Sequence, residues 1–205
     1  MNTTRFFTAA ILGALLLVSC KNDTKSNDGA EVSTTENVKV SEKKPEKKVK
    51  PLTQEQRRAA NGVQRKLMKT KESKEFTRAL VTAELIGELE DLETNYTIFA
   101  ADNDAFKVLE PGQNVLTDPS RRAELVALLS NHIVKGSFSS ADLAQEIKKN
   151  GKYVLTTIHD KKLTVSMKND LMVVTNANKS STVTLGKTDI KGTNGILHIV
   201  DGLLK

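Results

Sequence analysis

Tyr96-Thr97-Ile98-Phe99-Ala100-Ala101-Asp102-Asn103-Asp104-Ala105-Phe106 sets an apolar run, a polar break and a second apolar anchor side by side. Its first five residues are aromatic, β-branched or small, which suits a short buried strand. Asp102 or Asn103 then offers a side-chain oxygen to cap a helical turn through Phe106 and Leu109, which Pro111-Gly112 ends. The stretch joins strand to helix, and its flanks decide the fold class.

Upstream the pattern is helical. Thr53 with Gln56 three residues on forms a capping box and opens a helix toward about Met68. Gly62 weakens that helix by about 1 kcal/mol relative to Ala. A second helix is expected from about Ser73 to Leu92, with Phe76, Leu80, Val81, Leu85, Leu89 and Leu92 as one buried stripe. Downstream, Arg121 to Leu129 is helical with Leu125, Leu128 and Leu129 inward, and Ser139-Ser140-Ala141-Asp142 starts a helix that ends at Asn150-Gly151.

After Gly151 the period changes. Tyr153–Ile158, Leu163–Met167, Leu171–Thr175 and Thr182–Leu185 are short β-rich runs. His159-Asp160, Lys168-Asn169-Asp170 and Asn176–Ser181 separate them as turns. Asn194-Gly195 reads as a tight-turn pair before a last strand, where Ile196, Leu197, Ile199 and Val200 predict burial on both faces. Helices first and strands later argue for an α+β fold.

The chain has 205 residues, a length that suits one domain with extensions. One cysteine excludes an internal disulfide framework, and three scattered histidines offer no metal cluster, so neither metal nor cofactor is expected. The net charge of +6 raises nucleic acid as a partner, but no aromatic residue lies between Phe7 and Phe76, where the basic residues are densest. Base stacking needs such rings, so the charge reads as a solvated tether and helix face.

The N-terminus reads as an address. Arg5 precedes a largely apolar run of thirteen residues, Phe6–Val18, the size of a signal-peptide core and too short to cross a bilayer. Leu17-Val18-Ser19-Cys20 follows and resembles the lipobox of bacterial lipoproteins. The resemblance implies cleavage after residue 19, lipid attachment at Cys20 and a membrane anchor. An incidental cysteine after a secretory signal, or a core cysteine, is the alternative. Lys21–Pro51 has too few apolar residues to offset the entropy of ordering it, so 20–52 is expected to be a lipidated, disordered linker with a reach of roughly 30 Å. The expected organisation is thus a leader over 1–19, the linker over 20–52 and a domain over 53–205.

Three segments carry a family resemblance. Tyr96–Phe106 resembles the first signature of fasciclin-type domains. Asn131-His132-Ile133-Val134 with Lys135-Gly136 is similar to their central Tyr-His segment, with Asn131 in place of the tyrosine. Thr188-Asp189-Ile190 and Thr193–Asp201 resemble the closing signature, with Lys191-Gly192 between them. Ala101 stands where proline is frequent. The resemblance, over roughly residues 60–205, implies helices packed on a sandwich-like wedge of short strands. It also implies an envelope or extracellular adhesion module rather than an enzyme, with a protein or glycan partner. Residues Asp189 and Ile190 occupy the position of an Asp-Ile pair implicated in partner binding in some animal members.

Read on their own, His132 and His198 are core histidines, and Asp104 and Asp189 are helix-terminal and turn acceptors. The sequence has no Gly-x-Ser-x-Gly elbow, His-Glu-x-x-His, P-loop or dinucleotide fingerprint. The expectation is therefore a non-enzymatic, lipid-anchored protein of the bacterial cell envelope, at the outer membrane on its periplasmic or outer face. The alternative is a periplasmic small-ligand-binding or envelope-structural protein.

Overall fold

Helix ends, more than helix propensities, set the first half of the fold. A computed structural model describes residues 50–107 and 119–205; the leader, Cys20, the linker up to residue 49, Leu109 and Pro111-Gly112 lie outside the described residues. Thr53 caps α1 (Gln54–Ala60) through the full capping box with Gln56. The helix expected to reach Met68 stops at Asn61-Gly62 and restarts as α2 (Val63–Lys69). The break is held from a distance. Asn194 Oδ1 accepts from the Val63 N–H at 2.8 Å, capping α2 with a side chain far downstream in sequence.

The helix expected over Ser73–Leu92 is likewise two pieces, α3 (Lys74–Thr82) and a 3-10 turn over Ile86–Glu90. Between them Glu84 adopts φ +59°. The Leu85 N–H donates to Leu80 O and the Glu84 N–H to Val81 O, both at 3.0 Å, which is the bond pair of a Schellman stop. A left-handed residue resets the phase of a helical stripe. On α3, Phe76 and Leu80 are buried four residues apart and Val81, one step round the helix from Leu80, is 51% exposed; past the reset Leu85 and Leu89 are buried and Leu92 half-buried.

The remaining helices follow their local signals. Asp102, not Asn103, caps the turn over Asp104–Phe106: its Oδ1 accepts from the Ala105 N–H at 2.8 Å. Asn103 instead ties Glu75 N to Lys71 O. Then come α4 (Arg122–Ser130), with Leu125 and Leu129 buried and Leu128 half-buried, and α5 (Ser140–Asn150). α5 opens on a Ser139–Asp142 capping box and closes on Gly151 at φ +72°.

The strands are β1 (Tyr96–Ala101), β2 (Ile133–Lys135), β3 (Lys152–Thr156), β4 (Lys162–Lys168), β5 (Leu171–Asn176), β6 (Thr182–Thr184), β7 (Ile190–Gly192) and β8 (Gly195–Val200). They form two four-stranded sheets, ordered β2-β1-β8-β7 and β3-β4-β5-β6. In the first, β1 and β8 run parallel, from Tyr96 opposite Gly195 to Ala101 opposite Val200, and every residue of both is buried. The second is an antiparallel meander. Single bridges, Val134–Thr157 and Leu185–Val200, join the sheets, so they close on a shared core as a wedge. α2 lies against β7 and β8, and α5 against β3 and β4. The α+β class and the wedge of short strands are as expected.

One turn differs by a residue. Gly192 pairs with Gly195, so Thr193 and Asn194 form the β7–β8 turn and Gly195 opens the strand. Gly195 has φ +151°, and a Cβ there would sit 2.0 Å from Tyr96 O. Only glycine lets β8 approach β1 this closely.

Candidate functional site

The Asp-Ile pair sits where α5 meets the mixed sheet. Asp189 immediately precedes β7 at φ +61° and is half-buried. Its carboxylate accepts from the Ser140 N–H at 2.9 Å and from the Ser140 hydroxyl, taking an orphan donor of the first turn of α5. Burial opposes the charge on Asp189, yet the Ser140 bonds, His198 and Thr188 together hold its carboxyl below the usual carboxylate range. Ile190 is half-buried and packs on the core. The pair therefore has a structural occupation, with part of each side chain left at the surface.

His198 lies behind Asp189. Its Nε2 is 2.9 Å from Phe138 O; a carbonyl only accepts, so Nε2 carries the proton and Nδ1 accepts from the Asp189 N–H at 3.4 Å. Burial lowers its pKa, and the Phe138 carbonyl and Asp189 offset part of that. The ring stacks on Phe99 at 5.6 Å. His132 is engaged in the same way with the opposite tautomer. Nδ1 donates to Phe99 O at 2.6 Å, and Nε2 accepts from the Leu204 N–H at 2.9 Å. Full burial pushes its pKa down to about 4. With both nitrogens of each ring committed to backbone, these are stitching residues between elements, as the sequence reading has them.

Asp104 pairs with Lys107 at 2.5 Å on the surface. Asn131, in the place of the family's tyrosine, donates from Nδ2 to Leu204 O at 3.0 Å, while its buried Oδ1 has no partner among the described residues. It borders a surface cleft of about 370 Å³ with Lys161, Lys162, Leu163, Asn176 and Lys205. The sequence reading took Asn194 for a turn residue and missed its role as a cap. It is fully buried, caps α2 through Oδ1 and donates from Nδ2 to Leu89 O and Asp91 O. Its only local signal was the Asn-Gly dipeptide, which points to a turn and not to a cap. Among the described residues no group of three or more His, Cys, Asp or Glu is arranged to hold a metal ion. No helix among them is long and apolar enough to cross a membrane.

The α+β wedge, with the three signature segments building one packed sheet, is the class of fold that the resemblance implies. The family model of the fasciclin domain matches residues 71–205, and the chain belongs to that family. The chain is 25% identical over 146 residues to transforming growth factor-beta-induced protein ig-h3 of Sus scrofa, covering 70% of this chain and 19% of that protein. It is 28% identical over 127 residues to protein sll1483 of Synechocystis, covering 62% of this chain and 63% of that one. The fold is shared with a FAS1 domain pair from the insect cell adhesion molecule Fasciclin I: TM-score 0.56 and 18% identity, over 71% of this chain and 51% of that chain. The chain thus spans less than two thirds of each of these proteins.

Proposed function

We propose that this is a lipid-anchored protein of a bacterial cell envelope whose fasciclin domain binds other molecules non-covalently: matrix, neighbouring cells or other envelope components. The observation that carries the reading is the fasciclin domain itself, whose fold is shared with a domain pair from a cell adhesion molecule. The Leu17-Val18-Ser19-Cys20 segment supports the anchor, since two or three acyl chains, at about 0.8 kcal/mol per buried CH2, hold a protein stably on a bilayer. Residues 20–52 act as the tether, and the partner is a protein or a glycan.

Protease shaving of intact cells tests the reading, with a blot for the domain and a periplasmic control. Loss of the domain while the control survives supports adhesion at the surface. Protection until the outer membrane is opened replaces it with a role inside the envelope. Globomycin should cause a larger precursor to accumulate; its absence removes the lipid anchor. Asp189 and Ile190 enter as candidate contact residues. Asp189→Ala is expected to cost about 1 kcal/mol through the lost α5 contact. A loss of attachment beyond the unfolded fraction supports the pair's role in binding, and unchanged attachment removes it.

A further inference from the structure

The described chain begins at Lys50 and enters the fold through α1, and the charge of the molecule is concentrated at this entry. Residues 50–78 hold nine basic residues against three acidic ones, a net +6 equal to that of the whole chain, whereas residues 79–205 hold fourteen against sixteen. α1 buries none of its residues. On α2 the buried side is Val63, Gln64 and Leu67; Arg65, Met68 and Lys69 are exposed on the other, at i, i+3 and i+4. Arg65 and Lys69 border a surface groove of about 380 Å³ with Gln56, Ala59 and Ala60 of α1, so the exposed sides of the two helices form one surface. Among the described residues no carboxylate lines the groove. Two large apolar side chains of this segment are exposed: Met68, between Arg65 and Lys69 on α2, at 50%, and Leu52, just ahead of α1, at 52%.

We propose that this α1–α2 face docks on an anionic lipid surface, its cations on the headgroups and Met68 and Leu52 toward the acyl boundary. Charge complementarity alone would also suit an acidic protein or a nucleic acid. Two features select lipid. The chain leading into this face carries Cys20, the expected lipid-attachment position, and the first aromatic residue after Phe7 is Phe76, which leaves nothing on the face to stack on bases. The proposal rests on the lipid-anchored reading only for bringing the face to a bilayer. Each basic residue brought to an anionic surface multiplies partitioning about fivefold, and salt screens the effect. Docking would hold the domain in one orientation instead of at the free reach of the tether.

Val49–Lys205 is one compact unit with its own core, so it can be tested without the anchor. It contains no cysteine, so Met68→Cys and, as a comparison of matched exposure (47%) on the meander, Val154→Cys each give one site for an environment-sensitive dye. With mixed phosphatidylglycerol–phosphatidylcholine vesicles the dye at 68 should shift to the blue, reversibly with salt. The dye at 154 should not, and neither should respond to pure phosphatidylcholine. R65Q with K69Q should cut partitioning about 25-fold, and K161Q with K162Q, the same charge loss on the other sheet, less than about twofold. Equal binding to neutral vesicles, equal shifts at both dyes, or tighter binding of a single-stranded oligonucleotide at the same salt overturns the proposal. Labelling of Cys20 with palmitate in the full chain, read separately, distinguishes the two failures: acylation without docking retires the face alone, and docking without acylation retires the anchor alone.

Discussion

In the mixed sheet every residue of β1 and β8 is buried, while in the meander Leu163 and Val165 of β4 face the core and Lys162, Thr164, Ser166 and Lys168 do not. A parallel pair in the middle of a sheet is covered on both sides; an antiparallel meander needs covering on one. The three signature segments all fall on or beside the mixed sheet: Tyr96–Phe106 is β1 and its exit, Asn131–Lys135 leads into and forms β2, and Thr188–Asp201 spans β7 and β8. Within them, His132 joins Phe99 to Leu204, and Asn194 joins α2 to Leu89 and Asp91. What makes the family recognisable is therefore the set of residues that holds the buried sheet together. Bonds that serve the fold are shared by members whatever they bind, so recognition of the fold does not by itself name the ligand.

The contrast is sharpest at two glycines. Gly195→Ala puts a Cβ 2.0 Å from Tyr96 O in the tightest part of the mixed sheet. It is expected to cost about 4 kcal/mol or more and to leave little folded protein. Gly151, at φ +72° before β3, has nothing within 4 Å of the place a methyl group would take; Gly151→Ala should cost about 1 kcal/mol from backbone strain alone. Urea denaturation of both variants measures the difference. Equal costs would mean that close approach at Gly195 does not limit the sheet.

Next in size is the Asn194 cap. Asn194→Ala strands the buried Val63 N–H and Leu89 carbonyl and removes a part-buried bond to the Asp91 carbonyl, and should lose about 3 kcal/mol. The asparagine of the meander hairpin is a different case. Asn169 and Asp170 take φ +50° and +63° in a two-residue turn, so Asn169→Gly should stay within about 0.5 kcal/mol of the parent. If the two variants lose equally, Asn194 is only a turn residue.

The third comparison is pH. His132 has a folded pKa of about 4 against an ordinary 6.5, so between these values the unfolded chain binds a proton that the folded chain does not. Stability should be full above pH 6.5 and decline by about 3 kcal/mol as the pH falls toward 4. His132→Gln should be less stable at neutral pH and flatter across that window. An equally steep profile in the variant would assign the pH dependence to groups other than His132.

Much of this architecture is legible in the sequence, for reasons that differ by element. α5 carries its own capping box and its own stop at Gly151, and β1, β8 and the meander strands carry enough apolar pattern to be read alone. β2, β6 and β7 have three residues each, too few to show a period, and of these β6 was legible because the turn signals over Asn176–Ser181 set it off. The two helix breaks were illegible for different reasons: α2 begins where the distant Asn194 caps it, whereas α3 ends on a Schellman stop whose left-handed residue, Glu84, is not a type that announces one. The Asp-Ile pair was visible only through the resemblance, and its bond to Ser140, 49 residues away in sequence, was not visible at all.

That leaves the smallest effect, at Glu84, where a non-glycine residue ends α3 in the left-handed region at φ +59°. Glycine removes that strain but enlarges the unfolded ensemble, and it deletes an ion pair with Arg122 at 2.5 Å whose side chains are 46% and 71% exposed. Such an exposed pair contributes little, so Glu84→Gly should stabilise by about 0.5 kcal/mol, the difference between two opposed backbone effects. Asp170→Gly, at φ +63° in the meander turn, provides the matching change on a hairpin. If Asp170→Gly stabilises while Glu84→Gly destabilises, then the corner after α3 is held by its contact to α4 and not by the Schellman bonds. The break in the expected helix would then be a tertiary effect, like the one Asn194 imposes on α2.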